Sequence, residues 1–208
     1  MVENPFPAEY FQKQDPSDDD LFYTVPRKVV HIDDTAIANL KEQLAQLLPP
    51  GGVYLDLMSS WRSHIPDTLN PARVVGHGMN AAEMADNPQL DEYVVQNLNK
   101  NPALPFADGA FDAAICTVSV QYLTQPVAVF AQVNRVLKPG GVFVVSFSNR
   151  CFPTKAVAVW MATTDNQHMT LVVEYFERAG NWRDVTAGYA APRGADPIYM
   201  VWGYKAGE

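Results

Sequence analysis

The segment Val53-Tyr-Leu-Asp-Leu-Met-Ser-Ser-Trp-Arg62 has the pattern of a buried strand followed by a turn. Apolar residues lead into Asp56, as in a strand covered on both faces of a parallel sheet. In such sheets, ligands bind beyond the carboxyl ends of the strands, where the strand order reverses. If strand 53–57 is central, the residues from Asp56 to Ser63 form the floor of a ligand-binding crevice.

Strands and helices alternate around this segment, which predicts right-handed crossovers and a parallel sheet covered on both faces. A helix over 33–48 precedes it, with Asp33 or Asp34 as the capping residue. The further expected strands are 72–76, 92–96, 111–117 and 142–147. Helices are expected over 80–86 and 166–179, and two more are expected to begin after residue 61 and at Thr124. Two final strands, 183–189 and 197–204, are expected to form a hairpin in which only 197–204 runs antiparallel to the sheet.

Residues 1–30 are rich in proline, aromatic residues and acid, and we expect an extended arm laid over a single domain whose sheet core covers 51–208. The candidate anchors of this arm are Phe6, Tyr10, Phe11, Phe22 and Tyr23. The acidic run Asp18-Asp-Asp20 is interpreted as a solvated face.

Composition narrows the function. The chain has 208 residues, with 15 basic and 23 acidic side chains and a net charge of −8. A negative surface disfavours nucleic acid as a partner. Neither a membrane-spanning run nor a signal peptide is recognisable, so a cytoplasmic protein without a membrane partner is expected. The two cysteines form no metal motif, and no metal site is predicted.

Two further segments carry a resemblance: Leu104-Pro-Phe-Ala-Asp-Gly-Ala-Phe-Asp112 and Arg135-Val-Leu-Lys-Pro-Gly-Gly-Val-Phe143. With the strand at 53–57, they resemble class I S-adenosylmethionine-dependent methyltransferases, especially the small-molecule group that includes quinone-biosynthesis enzymes. The resemblance implies a Rossmann-like α/β fold: a seven-stranded sheet, mostly parallel with a C-terminal antiparallel strand, and helices on both faces. It also implies S-adenosylmethionine as cofactor and a structural role for Asp112.

The cofactor loop departs from the family pattern. Its glycine positions hold Met58, Ser60 and Arg62. Ser60 is a mild change, but a positive φ at Met58 or Arg62 costs about 1–2 kcal/mol each, so we expect the loop to follow another path. The ribose-binding acid corresponds to Gly78. His77 or Asn80 could replace it, although a surface histidine in a tight Gly-His-Gly turn is the favoured interpretation of His77.

The adenine-binding acid corresponds to Asn97, with Leu98 beside the ring. The cofactor residues implied by the resemblance are therefore Asp56, Met58, Ser59, Ser60, Gly76, His77, Gly78, Asn97, Leu98 and Ser119. Gln121 and Tyr122 are candidates to orient the methyl acceptor, or else pack under the next helix. Asn149, Arg150 and Lys155 could hold an anionic group of a small-molecule acceptor, or else be exposed.

Two functions remain open: a small-molecule methyltransferase, and a catalytically silent binding or regulatory module on the same fold. Methyl transfer needs chiefly alignment, so no particular catalytic residue is predicted. We expect weak cofactor binding, with Trp61, Arg62 or His64 filling part of the crevice and the Trp61 indole donating to Asp56. A hydrolase site built from Ser59, Ser60 and His64 is disfavoured because the nucleophile-elbow glycines are missing. The sequence determines neither the acceptor nor the oligomeric state.

Overall fold

A computed structural model describes residues 5–207, so residues 1–4 of the predicted arm and residue 208 of the predicted core lie outside the described part. Within that part, one sheet has the strand order β3-β2-β1-β4-β5-β7-β6. Its strands are Val53–Ser59 (β1), Arg73–Gly78 (β2), Glu92–Val95 (β3), Phe111–Thr117 (β4), Leu137–Phe147 (β5), Trp182–Ala190 (β6) and Ile198–Lys205 (β7).

The sheet has the predicted topology. Strand β1 pairs in parallel with β2 on one side and β4 on the other, so the strand order reverses between β1 and β4. Strand β7 is antiparallel to both of its neighbours, β5 and β6. The predicted Rossmann-like sheet with a single antiparallel strand near its C-terminal edge is confirmed.

Helices cover both faces of the sheet. Those described are Asp19–Phe22 (α1), Asp34–Leu47 (α2), Ala81–Ala85 (α3), Pro126–Val136 (α4), Ala158–Met161 (α5) and Asp165–Ala179 (α6). The apolar stripe of α2 packs on the face that carries Tyr54 and Ile115. Helices α4 and α6 bury their apolar residues on the other face, where Phe130 lies 5.1 Å from Phe143 between ring centroids.

The prediction of a helix after residue 61 is wrong. A single 3-10 turn, Asp67–Leu69, is the helical structure between β1 and β2. Pro66 disfavours helical backbone at the residue before it, and Asn70 closes the turn at φ 43°. The crossover is therefore an irregular loop that stays close to the end of β1.

The two resemblance segments build the fold and are tied to each other. Arg135 donates to the carbonyl oxygens of Leu104 and Phe106, both at 2.8 Å. Asp112 accepts from the backbone N–H of Val53 at 2.9 Å and from Lys138 at 2.7 Å. These contacts fix where β1, β4 and β5 begin, which is the structural role expected for Asp112.

The N-terminal arm, residues 5–33, lies over the carboxyl ends of the strands. Phe11 is buried, Phe22 packs against Phe152 at 5.6 Å, and Tyr23 faces the space beneath the arm. Phe6 packs against Phe11 at 5.9 Å between ring centroids. Tyr10 is 39% exposed, so the prediction that it anchors the arm is wrong.

The interpretation of Asp18-Asp-Asp20 as a solvated face is confirmed for Asp18 and Asp20, which are exposed, and is wrong for Asp19. Asp19 is buried and bonds Lys13 at 2.6 Å and Asn99 at 2.9 Å. Asp18 and Asp20 share the ammonium of Lys100, each at 2.6 Å. The acidic run holds the arm onto the domain because its partners are presented by the loop after β3 and by the arm itself.

Lys155 completes this attachment from the loop after β5. Its side chain is 0% exposed, and its ammonium lies 3.0 Å from Asp15, 3.5 Å from Asp19 and 2.9 Å from the carbonyl of Ser17. No helix among the described residues is both long and apolar enough to cross a membrane.

We expect Lys155→Met to lower the free energy of unfolding by about 3 kcal/mol, because it removes a buried cation from the buried Asp19, which keeps only Lys13, and from the half-buried Asp15. The matched control is Lys100→Met, whose side chain is 53% exposed and whose loss should cost about 1 kcal/mol or less. Urea denaturation of both variants measures the difference. Equal effects would contradict the assignment of Lys155 as the buried anchor.

Candidate functional site

A cleft lies at the carboxyl ends of β1, β2 and β4, where the strand order reverses, and the arm forms its outer wall. Its cavity has a volume of about 140 Å³, close to the roughly 150 Å³ of an engineered protein cavity that binds benzene. The enclosed space therefore suits a ring-sized group. A larger ligand extends past the mouth of the cleft or moves the arm.

Asp56 forms the floor of the cleft, and its carboxylate is already bonded within the chain. One carboxylate oxygen accepts from the hydroxyls of Ser59 and Ser63, both at 2.6 Å. Burial raises the pKa of Asp56 to about 6, although the two serine hydrogen bonds oppose that shift. The predicted indole donor to Asp56 is absent: Trp61 donates to the carbonyl of Val29 at 3.2 Å instead.

The loop does not avoid the glycine-like backbone at its first position. Met58 adopts φ 58° at a bulge between Leu57 and Ser59, so the expectation of a wholly different path is wrong there. The side chain packs against the core on one face, which supplies a compensating apolar contact. Ser60 and Arg62 do not have positive φ, and beyond Met58 the loop departs from the glycine pattern.

The packing of β2 against β1 explains why Gly78 stands where the family has its ribose-binding acid. A Cβ at Gly78 would lie 2.3 Å from the carbonyl oxygen of Ser59 and 3.0 Å from the sulfur of Met84. Because β1 and β2 approach this closely, no side chain fits at Gly78, and the position expected to hold the ribose acid stays empty.

His77 is buried, contrary to the favoured interpretation as a surface histidine. Its side chain is 1% exposed, and it lines the cleft. Neither ring nitrogen has a hydrogen-bond partner of good geometry among residues 5–207. Burial lowers the pKa of His77 to about 4, although the nearby Gln96 side chain and the backbone of His77 oppose that shift, so the ring is neutral at neutral pH. An unpartnered imidazole at this depth is available to a bound ligand.

Glu83 supplies a carboxylate that sequence reasoning missed. It is buried and lines the cleft, and it accepts from the Ser60 hydroxyl and the Arg27 backbone N–H, both at 2.5 Å. Asn80 caps α3 through the Glu83 N–H at 3.0 Å and donates to the Tyr23 carbonyl at 2.8 Å. The spacing of Asn80 and Glu83 signals a helix cap, so the sequence gives no sign that Glu83 faces a cleft.

Asn97 and Leu98 lie on the cleft wall as the resemblance implies, but the amide of Asn97 is already engaged. Its Nδ2 donates to Asp20 at 2.8 Å, and its Oδ1 accepts from the Asn99 N–H at 2.9 Å. The arm therefore bonds the same side chain that the resemblance assigns to adenine.

The structure brings most of the predicted cofactor residues together. The ones that line the cleft are Asp56, Met58, Ser59, Ser60, His77, Gly78, Asn97, Leu98 and Ser119. Gly76 does not: its Cα faces Leu90, which a Cβ would meet at 2.5 Å. Trp61, Arg62 and His64 also line the cleft, as predicted, and burial with the nearby Lys41 and Arg62 charges lowers the pKa of His64 to about 4.

The predicted acceptor residues do not lie together in the structure. Tyr122 lines the cleft, but its hydroxyl accepts from the Phe152 N–H at 2.8 Å. Gln121 is buried outside the cleft lining and donates to the Val118 carbonyl at 3.0 Å. Arg150 is paired with Asp196 at 2.9 Å, and Asn149 is exposed and does not line the cleft. With Lys155 bound to the arm, the predicted anion site after β5 is wrong.

Solved structures share this architecture. A chain of the complex between the Trm112 methyltransferase activator of Haloferax volcanii and a methyltransferase superposes with a TM-score of 0.62 at 17% identity, covering 84% of this chain and 92% of that one. An S-adenosylmethionine-dependent methyltransferase from Mesorhizobium loti gives a TM-score of 0.57 at 16% identity, covering 79% and 96%. The [4+2]-cyclase SpnF gives 0.58 at 14% identity, covering 82% of each chain.

The fold is thus the Rossmann-like fold of class I methyltransferases. Residues 72–145 match the model of the methyltransferase domain family, in agreement with the resemblance predicted from the sequence. A stretch of 74 residues is 34% identical to the biotin biosynthesis bifunctional protein BioHC of Teredinibacter turnerae, covering 35% of this chain and 13% of that relative. The chain matches only a small part of this relative's length.

The pKa of Asp56 generates a pH prediction. A carboxyl whose pKa rises from 3.8 to about 6 on folding binds its proton more tightly in the folded state, so stability falls as pH rises through 4 to 6. Two pKa units correspond to about 2–3 kcal/mol. We expect the free energy of unfolding of Asp56→Asn, relative to the unsubstituted protein, to rise by about that amount between pH 4 and pH 7. A pH-independent difference in urea titrations would contradict the burial of an ionised Asp56.

The close approach at Gly78 generates a second prediction for the site. Gly78→Ala should cost about 1–3 kcal/mol, because the Ser59 carbonyl that its methyl group meets is backbone and must shift. The control is Gly188→Ala, whose Cβ would meet only the Trp202 ring at 3.5 Å and should change stability little. Thermal denaturation of the two variants tests this, and an unaffected Gly78→Ala protein would show that the strands separate easily.

Proposed function

We propose that this chain is an S-adenosylmethionine-dependent methyltransferase that acts on a small molecule. The observation that carries the proposal is the buried, unpartnered His77 in a cleft at the point where the strand order reverses. Buried polar groups without partners are rare in folded proteins. An unpartnered imidazole in a cleft at this point supports a ligand that completes its hydrogen bonds.

The residues present fit such a cofactor once the arm yields its contacts. His77 and Glu83 would accept hydrogen bonds from hydroxyl groups, and Asn97 and Leu98 would meet a heterocyclic ring through an amide and an apolar side chain. The cofactor, when bound, supplies a methyl group on a sulfonium. The chain's own part is to align an acceptor with that group and to exclude water, which is chiefly a matter of proximity.

A silent binding or regulatory module is the second candidate, and one observation favours it. Asp56, Glu83 and Asn97 already have hydrogen-bond partners within the chain, so a ligand has to displace serine hydroxyls or the arm. Each such exchange removes part of the gain from binding, and a buried group left unpaired costs about 1–3 kcal/mol.

Two further features belong to the proposal. The net charge of −8 disfavours nucleic acid and anionic membrane surfaces as partners. The resemblance to small-molecule methyltransferases supports a small molecule as the substrate class. Location in the cytoplasm is also proposed, and the two free cysteines of the described residues support it.

We expect S-adenosylmethionine to bind weakly, because the family's glycine loop, ribose acid and adenine acid are all altered. Titration calorimetry with S-adenosylmethionine and S-adenosylhomocysteine measures the affinity, and His77→Phe should weaken both ligands by about tenfold, one hydrogen bond's worth. Ligand at 100 times Kd raises stability by about 2.7 kcal/mol, which gives an independent thermal-shift check. Absence of binding at millimolar ligand by both methods would reject the enzyme in favour of the silent module.

A further inference from the structure

The N-terminal arm is attached to the domain at two points, and its middle lies over the cleft. Its root, residues 11–19, encloses the buried ammonium of Lys155. At the other end, Asp33 accepts from the Asp196 backbone N–H at 2.6 Å, and the Asp33 N–H donates to the Asp196 carboxylate at 3.1 Å. Residues 20–32 between these attachments are called the strap, and they form the outer wall of the cleft.

The strap bonds residues that would bind the cofactor. Asp20 accepts from the side-chain amide of Asn97 at 2.8 Å, and the backbone N–H of Arg27 donates to the Glu83 carboxylate at 2.5 Å. These are the same kinds of hydrogen bond that a heterocyclic nitrogen would accept from the amide and that a hydroxyl group would donate to the carboxylate. The strap therefore takes the place of ligand groups at Asn97 and Glu83.

The closed cleft also has too little room for the whole cofactor. Its cavity has a volume of about 140 Å³, whereas pockets for drug-sized ligands have volumes of about 300–1,000 Å³. S-adenosylmethionine carries a heterocycle, a sugar and an amino acid, so it exceeds the space beneath the closed strap. Both the hydrogen bonds and the volume require the strap to move before the cofactor binds.

Exposed ion pairs hold the strap in place. The ammonium of Lys100 is 53% exposed and lies 2.6 Å from both Asp18 and Asp20. Lys28 pairs with Asp86 at 2.5 Å, and both side chains are about half exposed. Such pairs contribute little to stability and are screened by salt, whereas the cation at the root of the arm is fully buried. The strap can therefore open while the root stays attached.

The strap also leaves much of its apolar surface in contact with solvent. Four of its apolar side chains are exposed, namely Leu21, Val25, Val29 and Val30. Segments with few buried apolar contacts open locally at a small cost in free energy. Opening of the strap therefore does not require the core of the domain to unfold.

We propose that the strap is an autoinhibitory segment, which competes with S-adenosylmethionine for Asn97 and Glu83 and opens between its two attachments when the cofactor binds. This rests on the proposed function. A ligand that binds only the open form has an apparent Kd equal to its intrinsic Kd divided by the open fraction. The contacts that close the strap therefore lower the affinity, and weakening them tightens binding without any new contact to the ligand.

The affinity test uses S-adenosylhomocysteine as the probe in titration calorimetry. Asp20→Ala removes the carboxylate that bonds Asn97 and Lys100, and it should tighten binding about fivefold, the value of one hydrogen bond. The matched control Asp108→Ala removes an exposed carboxylate that pairs with Arg135 at 2.6 Å outside the cleft lining, and it should leave the affinity unchanged. Equal effects of the two variants, or weaker binding by Asp20→Ala, would overturn the competition.

Trypsin cleavage tests whether the strap opens. Arg27 and Lys28 lie in the strap, and Arg193, in the exposed turn between β6 and β7, serves as the internal reference. Cleavage after Arg27 or Lys28 should become at least about fivefold faster in Asp20→Ala without ligand, and also in the unsubstituted protein with saturating S-adenosylhomocysteine. Cleavage after Arg193 should not change.

The outcomes distinguish the strap from the proposed function. If S-adenosylhomocysteine binds and protects Arg27 and Lys28 from trypsin, the strap closes over the ligand, and the autoinhibitory role is rejected while the methyltransferase proposal stands. Binding that leaves cleavage of the strap unchanged has the same consequence. Absence of binding to both the unsubstituted protein and Asp20→Ala would instead reject the proposed function.

Discussion

The attachment of the N-terminal arm to Lys155 is the contact on which the cleft depends. A lysine that is 0% exposed is costly to bury unless carboxylates and carbonyls surround its ammonium. Asp15, Asp19 and the Ser17 carbonyl come from the arm, so Lys155 and the arm require each other. Once the arm is held there, Tyr23, Arg27 and His31 follow onto the cleft and close its outer side.

The end of β1 forms the floor of the cleft although it lacks the glycines of the family pattern. Met58 keeps the positive φ of the first glycine position and offsets the strain by packing on the core. The next residues fold inward instead of leaving room, and Ser59 and Ser63 bind Asp56. Glycine is required instead on the neighbouring strand, because only a residue without Cβ at position 78 lets the Ser59 carbonyl approach.

Two kinds of polar group result, and they have different consequences for a ligand. Asp56, Glu83 and Asn97 are bonded within the chain, so they stabilise the closed cleft and reduce the gain from any ligand. His77 has no hydrogen bond of good geometry within the described residues, so a ligand that meets it breaks no strong contact.

The sequence by itself determined the sheet. Alternating strand and helix patterns predicted the order of the strands, because apolar periodicity records which faces are buried. The helix expected after residue 61 was wrong, and β5 begins at Leu137 instead of 142. The segments around Asp112 and Arg135 could be recognised because their contacts are made to backbone at fixed places in the fold. The positions predicted along β1 and β2 also line the cleft, except Gly76, since the carboxyl ends of parallel strands meet at one edge.

Only the tertiary structure decided what those positions are bonded to. The acidic run at 18–20 resembles a solvated surface until Lys13, Lys100 and Lys155 are brought against the arm from distant parts of the chain. His31 and Glu83 look like neighbours of helix caps, and no local pattern places them at a cleft. Hydrogen-bond partners and burial depend on contacts between residues that are far apart in sequence, and these contacts exist only after the chain has folded.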